Sequence, residues 1–558
     1  MLRFAKYSIF LIFSIVLIIT LGYGCASIQI PTGGPKDSIP PKVLKETPAN
    51  FTTNFKTKEI NIQLDEYFKI NNEAKEFSVS PATDKNPYFK IRKKVLNIKF
   101  QDTLAANTTY TINFGRGLVD YNEGNILKNY MYVLSTGNKI DSLTISGTVL
   151  NTLTKKPVLD ATVFIIPISQ DTIFGKKRAN IFTTTDSSGV FNLKYLRPDT
   201  YRVYALKEEG GDRIYNSTNE EIGFIKDSLV LNKNTTGLKL ELFKEEAKVF
   251  RIMDRKIEKD GKIVFLFNKK LSNPGVRIIQ PKELDASKIT EFSKTKDSLA
   301  IWTENMNFDS IQVAIINNGI PIDTSVIRRG RKDEYKRELK VTDNLPNSRI
   351  KPGTDLILSF SAPIGNKIDP SKITLLQDSV SVNGLRIFKD TTSTSRYIFK
   401  FPWKMEKKYI LKLEEKAFTG LFGGENKPFD KTFTRDEEMN YGNLALSVTV
   451  PDTAKNYIVQ LLNTNGELLR EDPIKKSTTI TYIMYAIGKY QFRVVYDTNG
   501  NKKWDTGDVY LKKLPENIWN AGVEITLRAN WDLEEKLTVP PENGSISSTP
   551  SPEKISIK

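Results

Sequence analysis

The chain of 558 residues contains no histidine and only one cysteine. Without histidine, the usual general base of enzymes, the commonest zinc ligand and the base of a serine triad are all missing. Enzymes without histidine rely on paired carboxylates or lysine, but no segment juxtaposes such groups recognisably, and no glycine-rich phosphate loop or nucleophile elbow is found. The sequence therefore predicts a protein that is not an enzyme and disfavours a hydrolase.

Long stretches with helical apolar spacing are also scarce. Short apolar or alternating runs lie instead between clusters of Asn, Asp, Gly and Pro, a pattern typical of β-strands and their turns. A chain of 558 residues is too long for one hydrophobic core. We therefore expect an all-β chain with several Ig-like and prealbumin-like β-sandwich domains in tandem, after an N-terminal signal segment.

The formal net charge of +17 would attract anionic partners, either nucleic acid or an anionic surface. The lysines are scattered through every segment, and the densest basic cluster, at residues 326–338, is interrupted by acidic residues. This distribution disfavours nucleic acid. It favours a solvated surface, or electrostatic attraction to anionic lipid or polysaccharide.

The first 25 residues have the order of a secretory signal. Basic Arg3 and Lys6 precede an apolar stretch from Ile9 to Leu21, and small residues lead to Cys25. A permanent transmembrane anchor is the alternative, because the apolar segment approaches the length of a short span. Cys25 favours the signal, since a lone cysteine cannot form an internal disulfide and an exported protein rarely keeps an idle thiol.

This segment resembles the signal of bacterial lipoproteins. In that family the signal peptidase cuts just before the cysteine, whose thiol carries diacylglycerol and whose new amino group is usually acylated. The resemblance implies a signal peptide at 1–24, lipidation of Cys25 and stable anchorage by several acyl chains. Gly22 departs from the family pattern, in which leucine is commoner. Residues 25–38, rich in Pro and Gly, are expected to form a tether.

Residues 39–137 resemble the bacterial Ig-like domain named after the SbsA surface-layer protein. That family has a Pro-Pro start, a strand ending in Phe-Ser-Glu or similar, and a late strand leading to Val-x-Asp-x-x-Gly-Asn. PPKVLKETPAN and LDEYF match the first two features. The oxygen-bearing side chains of NFGRGLVDYNEGNIL, at 113–127, are consistent with a calcium loop or a catalytic pocket, but we interpret Asp120 to Asn125 as a turn between two strands. Its matching positions are Leu118, Val119, Asp120, Gly124 and Asn125.

Residues 143–244 resemble the prealbumin-like modules of bacterial surface proteins and the regulatory domain of carboxypeptidases. The resemblance implies a β-sandwich whose matching residues shape turns and fill a core. The matching residues are Ser146, Gly147, Val149, Pro157, Ala161, Val163, Asp186, Gly189, Phe191, Leu196, Pro198, Tyr201 and Val203.

The rest of the chain repeats these patterns more faintly. We expect Ig-like modules at 248–340 and 346–437, a second prealbumin-like module at 441–533, and a disordered tail at 534–558. LDEYF, LFNKKL and SFSAPI occupy one place in successive Ig-like modules, which predicts a repeat. The five β modules are numbered one to five along the chain. Repeated sandwiches indicate a rod of modules more often than an active site.

The stretch DTNGNKKWDTGD, at 497–508, is the strongest candidate for a metal-binding site, because its Asp and Asn side chains supply oxygens at the spacing of a calcium loop. Against calcium, Lys502 stands where an EF-hand has glycine, and a bidentate glutamate is missing. The alternative is a polar hairpin whose side chains bond to the local backbone. No other cofactor is expected. The candidate calcium ligands are Asp497, Asn499, Asn501, Asp505 and Asp508.

Five tryptophans raise the possibility of a sugar-stacking platform, although single aromatics in β modules more often pack in cores. Spatial convergence of these side chains would favour the alternative function, a glycan-binding surface lipoprotein of a nutrient-uptake system. The residues are Trp302, Trp403, Trp504, Trp519 and Trp531.

Together these features predict a non-enzymatic, lipid-anchored outer-membrane protein, a tethered rod of β-sandwich modules with a structural or adhesive role. The order of segments, with PTGGPKDSIPPKV just after Cys25, resembles Ig-like-domain lipoproteins of the Bacteroidetes group. The expected partners are the membrane, through the lipid anchor, and envelope proteins or glycans. The periplasmic and external faces of the membrane both stay open, since no acidic cluster that would suggest surface export follows Cys25.

Overall fold

The computed structural model describes residues 37–542, apart from residues 82, 84, 209, 331 and 530. The predicted signal peptide, Cys25, most of the tether and residues 543–558 therefore lie outside the described residues. In the part that is described, no helix has the length and apolar character needed to span a membrane. Packing divides the chain into two compact units. Of the described residues, unit 1 comprises 37–144, Asn180–Thr184 and Leu193–Pro198, and unit 2 comprises Ile145–Ala179, Thr185–Asn192 and 199–542.

Module one, in unit 1, is built from short antiparallel strands around one core. Strand Glu59–Leu64 shows why: Ile60, Ile62 and Leu64 are fully buried while the residues between them are exposed, because successive side chains of a strand point to opposite faces. The elements are β1 (Val43–Thr47), β2 (Glu59–Leu64), β3 (Phe68–Ile70), α1 (Glu73–Glu76), β4 (Ser78–Ser80), β5 (Tyr88–Arg92), β6 (Val95–Lys99), β7 (Thr109–Asn113), β8 (Leu118–Asp120) and β9 (Met131–Ser135).

Module two contributes residues to both units. Within unit 2, β11 pairs with β14 and β14 with β15, all antiparallel, and β10 runs parallel to the last strand, β17. The elements are β10 (Leu143–Asn151), β11 (Thr162–Pro167), a 3₁₀ turn (Ile168–Ile173), β12 (Ile181–Thr184), β13 (Val190–Leu196), β14 (Asp199–Lys207), β15 (Glu221–Phe224), β16 (Leu229–Leu231) and β17 (Thr235–Lys244).

Modules three and four lie in unit 2, each with its own cluster of buried side chains. The elements of module three are β18 (Ile252–Ile257), β19 (Ile263–Phe267), β20 (Pro274–Gln280), α2 (Leu284–Ser287), β21 (Ile289–Phe292), β22 (Ser298–Trp302), β23 (Ser310–Asn317) and β24 (Ile320–Arg328). Those of module four are β25 (Glu338–Leu339), β26 (Val341–Asp343), a 3₁₀ turn (Pro346–Ser348), β27 (Arg349–Ile350), β28 (Leu356–Phe360), β29 (Ile364–Ile368), a 3₁₀ turn (Pro370–Lys372), β30 (Ile373–Gln377), β31 (Val380–Ser381), β32 (Arg386–Lys389), β33 (Arg396–Lys400), β34 (Lys408–Leu413), β35 (Phe418–Gly420), β36 (Glu425–Asn426) and β37 (Phe429–Arg435).

Modules one, three and four share the strand order of one sheet. One sheet of each runs β1-β2-β6-β5, β18-β19-β22-β21 and β26-β28-β33-β32. The predicted repeat is therefore present, since LDEYF, LFNKKL and SFSAPI each begin within or just after the second strand of this sheet. Module three is shorter than module one, because the left-handed residues Asn318 and Gly319 form a tight turn between β23 and β24. In module one, β8 and a loop occupy that place.

Module four begins earlier than the predicted residue 346. Strand β26 pairs with β28, and Leu339 and Leu345 are buried in the core of module four. Residues 338–345 were assigned to the end of module three or to a connection because β25 and β26 are too short to show an alternating pattern.

Module five resembles module two in that its first strand runs parallel to its last. The elements are a 3₁₀ turn (Glu438–Asn440), β38 (Tyr441–Thr449), β39 (Asn456–Asn463), β40 (Leu468–Ile474), β41 (Thr478–Ala486), β42 (Gly488–Asp497), β43 (Ile518–Leu527) and β44 (Asp532–Thr538). Strand β38 runs parallel to β44, and β39 runs antiparallel to β42. Its strands form two sheets, however, β41-β38-β44 and β40-β39-β42-β43.

Strand β44 corrects the predicted start of the disordered tail at 534. Leu537 and Val539 are buried and Leu533 packs against the same core, and the hydroxyl of Tyr496 donates to the carbonyl oxygen of Pro540 at 2.8 Å. Alternating apolar side chains in DLEEKLTV thus complete the sheet. The folded module therefore includes residues up to Glu542, where the described part of the chain ends.

Within NFGRGLVDYNEGNIL, Leu118–Asp120 form β8 and the residues up to Asn125 form a turn, as predicted. Asp120 is 1% exposed, and its carboxylate accepts hydrogen bonds from the backbone N–H groups of Glu123, Gly124 and Asn125 at 2.6, 2.9 and 2.8 Å. Burial opposes ionisation, but these N–H groups outweigh it and lower the pKa of Asp120. The carboxylate therefore holds the loop between β8 and β9.

We expect Asp120→Asn to loosen this turn. Asparagine replaces one of the two accepting oxygens with an NH₂ group, which is a donor and cannot accept from the backbone N–H groups that face it. Hydrogen–deuterium exchange of residues 123–125 should become faster, and the unfolding temperature of module one should fall. Glu123→Gln, an exposed change in the same turn, is the control. Unchanged protection of these three amides in Asp120→Asn would contradict this account of the turn.

Candidate functional site

The predicted calcium loop follows β42 and begins with a buried carboxylate. Asp497 is 2% exposed. One of its oxygens accepts from the N–H groups of Gly500 and Asn501 at 2.8 and 3.1 Å, and the other accepts from that of Lys502 at 2.9 Å. Gly500 and Lys502 have left-handed backbone conformations, with φ of 73° and 64°. Asp497 thus organises a compact turn through local backbone bonds.

The other candidate ligands separate into two groups. The side-chain amides of Asn499 and Asn501 both donate to one carboxylate oxygen of Asp505, whereas Asp508 forms an ion pair with Lys248 at 2.7 Å. Among the described residues, no three His, Cys, Asp or Glu side chains are grouped so as to hold a metal ion. The contacts are those of a polar turn, and calcium binding at 497–508 stays a prediction.

Glu516 closes this loop and was not identified from the sequence. It is 5% exposed, and its carboxylate accepts from the backbone N–H groups of Thr498 and Asp505 at 2.8 and 3.0 Å. Its carbonyl oxygen accepts from the indole N–H of Trp504 at 3.1 Å. Glu516 lies eight residues beyond the polar stretch, so no motif spacing connects it to the loop.

The last part of the loop and the residues just after it contact module two, and we call residues 505–514 the docking segment. The hydroxyl of Thr506 donates to the carbonyl oxygen of Lys244 at 2.5 Å. Gly507 lies so close to module two that a Cβ atom there would be 2.5 Å from the ring of Phe243. Only glycine permits this approach without displacing the ring.

A buried carboxylate of module two holds the centre of the docking segment. Glu245 is 8% exposed and accepts hydrogen bonds from the hydroxyl of Tyr215, at 2.6 Å, and from the backbone N–H of Val509. Burial, with the adjacent Glu245, raises the pKa of Tyr215 above its ordinary value, so the phenol stays a donor. Val509 is fully buried.

The ammonium group of Lys512 lies among aromatic rings of module two. It donates to the hydroxyl of Tyr204 at 2.7 Å. It also lies 4.8, 5.4 and 5.8 Å from the ring centroids of Tyr204, Phe174 and Phe224, within the range of cation–π interactions. Burial lowers the pKa of Lys512. We call these three rings the aromatic cage.

A second contact joins the same two modules. The carbonyl oxygen of Leu153 accepts from the side chains of Arg493 and Asn520 at 3.5 and 3.2 Å, and Leu153 packs against the buried Ile458 and Val495. The expected rod, in which each module contacts only its neighbours along the chain, is therefore wrong for this part of unit 2. Complementary surfaces on modules two and five bring distant segments together.

Most of the tryptophans pack against other side chains and do not form a sugar-stacking platform. Trp403 packs in module four against the rings of Phe401, Tyr409 and Phe433, at centroid distances of 5.1 to 5.2 Å. Trp302 is 9% exposed, and Trp504 and Trp519 pack against buried clusters. Trp531 is 47% exposed and has the guanidinium of Arg528 over its ring. A glycan platform would require the tryptophan side chains to converge on one surface. Their different packing environments do not support such a platform.

Comparison with known families identifies one module. The family model described as a bacterial Ig-like domain matches residues 37–136, which confirms an Ig-like domain at the position predicted for module one. No curated protein matches the chain.

Solved structures of multi-domain β proteins match most of the chain at low similarity. The Bacillus anthracis TIE protein is 11% identical, with 91% of this chain and 75% of that chain covered and a TM-score of 0.14. The major pilin subunit BcpA of Bacillus cereus is 14% identical, with coverage of 72% and 99% and a TM-score of 0.13. The Bacteroides ovatus protein SGBP-B, solved with a mixed-linkage heptasaccharide, is 10% identical, with coverage of 70% and 94% and a TM-score of 0.18. At these scores the likenesses add nothing to the all-β fold seen directly.

If the loop at 497–508 binds calcium, the metal should stabilise the folded chain. Calcium at ten times its dissociation constant would add about 1.4 kcal/mol, and the unfolding temperature would rise on moving from a chelator to CaCl₂. Asp505→Ala should abolish this rise, whereas Asp452→Ala, an exposed aspartate of the same module, should keep it. Identical unfolding temperatures of the unaltered chain in chelator and in CaCl₂ would remove calcium from the account.

Proposed function

We propose that this chain is a non-enzymatic lipoprotein of the cell envelope, anchored through acyl chains on Cys25, whose β modules have a structural or adhesive role. The contact of the docking segment with module two carries the structural part of this proposal. Glu245, which is buried, and Lys512, which is partly buried, hold one module against another there. Charged residues that hold two modules together in this way support a structural role for the protein.

The contact between modules three and four follows the same principle. The guanidinium of Arg337 donates to the carbonyl oxygens of Thr303 and Glu304 at 2.6 and 2.9 Å, and to that of Phe422. Burial lowers the pKa of Arg337, but its donors are matched by carbonyl acceptors, as a buried cation requires.

Glu291 makes a second polar link between modules three and four. It accepts from the hydroxyls of Ser393 and Thr394 at 3.2 and 2.8 Å. Charged side chains therefore link neighbouring modules at several places. Such links would hold the modules of unit 2 in a fixed arrangement, as a structural role requires.

The membrane anchor rests on the sequence around Cys25. An apolar segment that ends in small residues before the only cysteine supports lipidation, and several acyl chains would hold the protein stably at a membrane. An outer-membrane location follows as part of the proposal. The net charge of +17 would favour contact with anionic envelope glycans, while proteins of the envelope are the other proposed partners.

We expect Cys25→Ala to prevent both lipid attachment and processing. Cells that express the unaltered chain and are fed labelled palmitate should yield a labelled protein that begins at Cys25 and sediments with the outer membrane. The Cys25→Ala variant should be unlabelled and keep its first 24 residues. Ser27→Ala, two positions further on, should behave as the unaltered chain does. Labelling of Cys25→Ala, or cleavage at another position in the unaltered chain, would refute the anchor.

A further inference from the structure

The aromatic cage of module two has the chemistry of a binding site for a cation. The centroids of its three rings lie within 6 Å of the Lys512 ammonium nitrogen, and the hydroxyl of Tyr204 supplies an acceptor at 2.7 Å. The rings of Phe174 and Tyr204 stack on each other at a centroid distance of 4.3 Å, which fixes them beside the ammonium group. We propose that the aromatic cage is a site for a primary ammonium group, occupied within the same chain by Lys512, and that this occupancy latches the docking segment onto module two.

The rings, and not an adjacent acid, carry the recognition. Among the described residues, no carboxylate forms an ion pair with Lys512. The closest acidic link runs through Tyr204, whose hydroxyl lies 3.3 Å from a carboxylate oxygen of Asp171, and Asp171 itself pairs with Arg202 at 3.6 Å. Lys512 can therefore donate to the Tyr204 oxygen while that hydroxyl donates onward to Asp171. This chain of donors orients the acceptor toward the ammonium group.

Few side chains of the docking segment are withdrawn from water. Leu511 and Leu514 are 76% and 46% exposed. Tyr510 is 54% exposed, although its ring lies 5.5 Å from that of Phe174 and 6.4 Å from that of Tyr215. Val509 is buried, and Lys512 is the charged side chain of the segment that lies against the aromatic cage. Because a buried ammonium without compensation is costly, the cage must provide its partner for the segment to remain docked.

The cage also explains why lysine suits this position better than arginine. A primary ammonium is a compact charge on a flexible stem and needs one acceptor with surrounding ring faces, whereas a planar guanidinium carries five donors that need acceptors in its plane. The single hydroxyl of Tyr204 and the three rings match the first requirement.

The first test compares Lys512→Met with Lys513→Met in the full chain. Methionine keeps an unbranched side chain and removes the charge, and Lys513 is an exposed neighbour that serves as the matched control. We expect hydrogen–deuterium exchange at Val509 and at residues 511–513 to become about tenfold faster in Lys512→Met, the scale of a desolvated cation–π contact. Lys513→Met should exchange as the unaltered chain does. Unaltered exchange in Lys512→Met overturns the proposal.

The second test asks whether the cage selects an ammonium ion. In Lys512→Ala, n-butylammonium should restore slow exchange of the docking segment, and n-butanol at the same concentration should not. Equal slowing by both compounds, or no slowing by either, overturns an ammonium site. Exchange in module four, remote in sequence, reports whether each variant is folded. If Lys512→Ala fails this check, Tyr204→Phe replaces it: loss of the hydroxyl acceptor should speed exchange of residues 511–513, and unaltered exchange overturns the proposal.

Discussion

The structure of unit 2 depends on the contact between the docking segment and module two. This contact joins residues more than 250 positions apart in sequence, as the ion pair of Lys248 with Asp508 shows. Its parts depend on one another. The carboxylate of Glu245 is buried only because the Tyr215 hydroxyl and the Val509 N–H satisfy it, and losing either donor would leave a buried charge short of partners. Gly507 permits the close approach that brings these groups together.

Charge placement connects this contact to the proposed scaffold. Much of the net charge of +17 is exposed to water, where single ion pairs contribute little. The few charged groups withdrawn from water are instead matched by carbonyl oxygens, ring faces or backbone N–H groups. Glu245 is buried and Arg337 and Lys512 are partly buried, and each lies where two modules meet. These three charges thus specify which surfaces fit together, since a mismatched surface would leave such a group without a partner.

The fold could be predicted from sequence wherever strands are long enough to alternate. Strand β2 and the Asp120 turn were both identified, because their side-chain pattern is local. Strand β44 was missed because the Pro-rich and Ser-rich composition of the tail concealed the alternation of Leu533, Leu537 and Val539. The start of module four was misplaced because β25 and β26 are two and three residues long.

The candidate site was predictable only in part, for the same reason. The polar turn at Asp497 depends on neighbours within five residues, so its sequence indicates it. The aromatic cage and Glu245 meet the docking segment through folding of distant segments, and no spacing in the sequence brings Lys512 and Tyr204 together. A tyrosine and lysines in YLKKL, following a polar turn, suit an exposed hairpin as well as a docked segment.

The most direct test of this account is zero-length cross-linking of the unaltered full chain with a carbodiimide, which joins carboxylates to amines already in contact. Lys248 and Asp508 lie 2.7 Å apart, with side chains 50% and 18% exposed. Lys455 and Glu542, both in module five, lie 2.8 Å apart with side chains 49% and 15% exposed and provide an internal standard. Mass spectrometry should find both cross-links within single chains at similar yields. A Lys455–Glu542 cross-link without a Lys248–Asp508 cross-link would show that Asp508 does not reach Lys248, four residues beyond the end of β17, and would contradict the docking of module five at this end of module two.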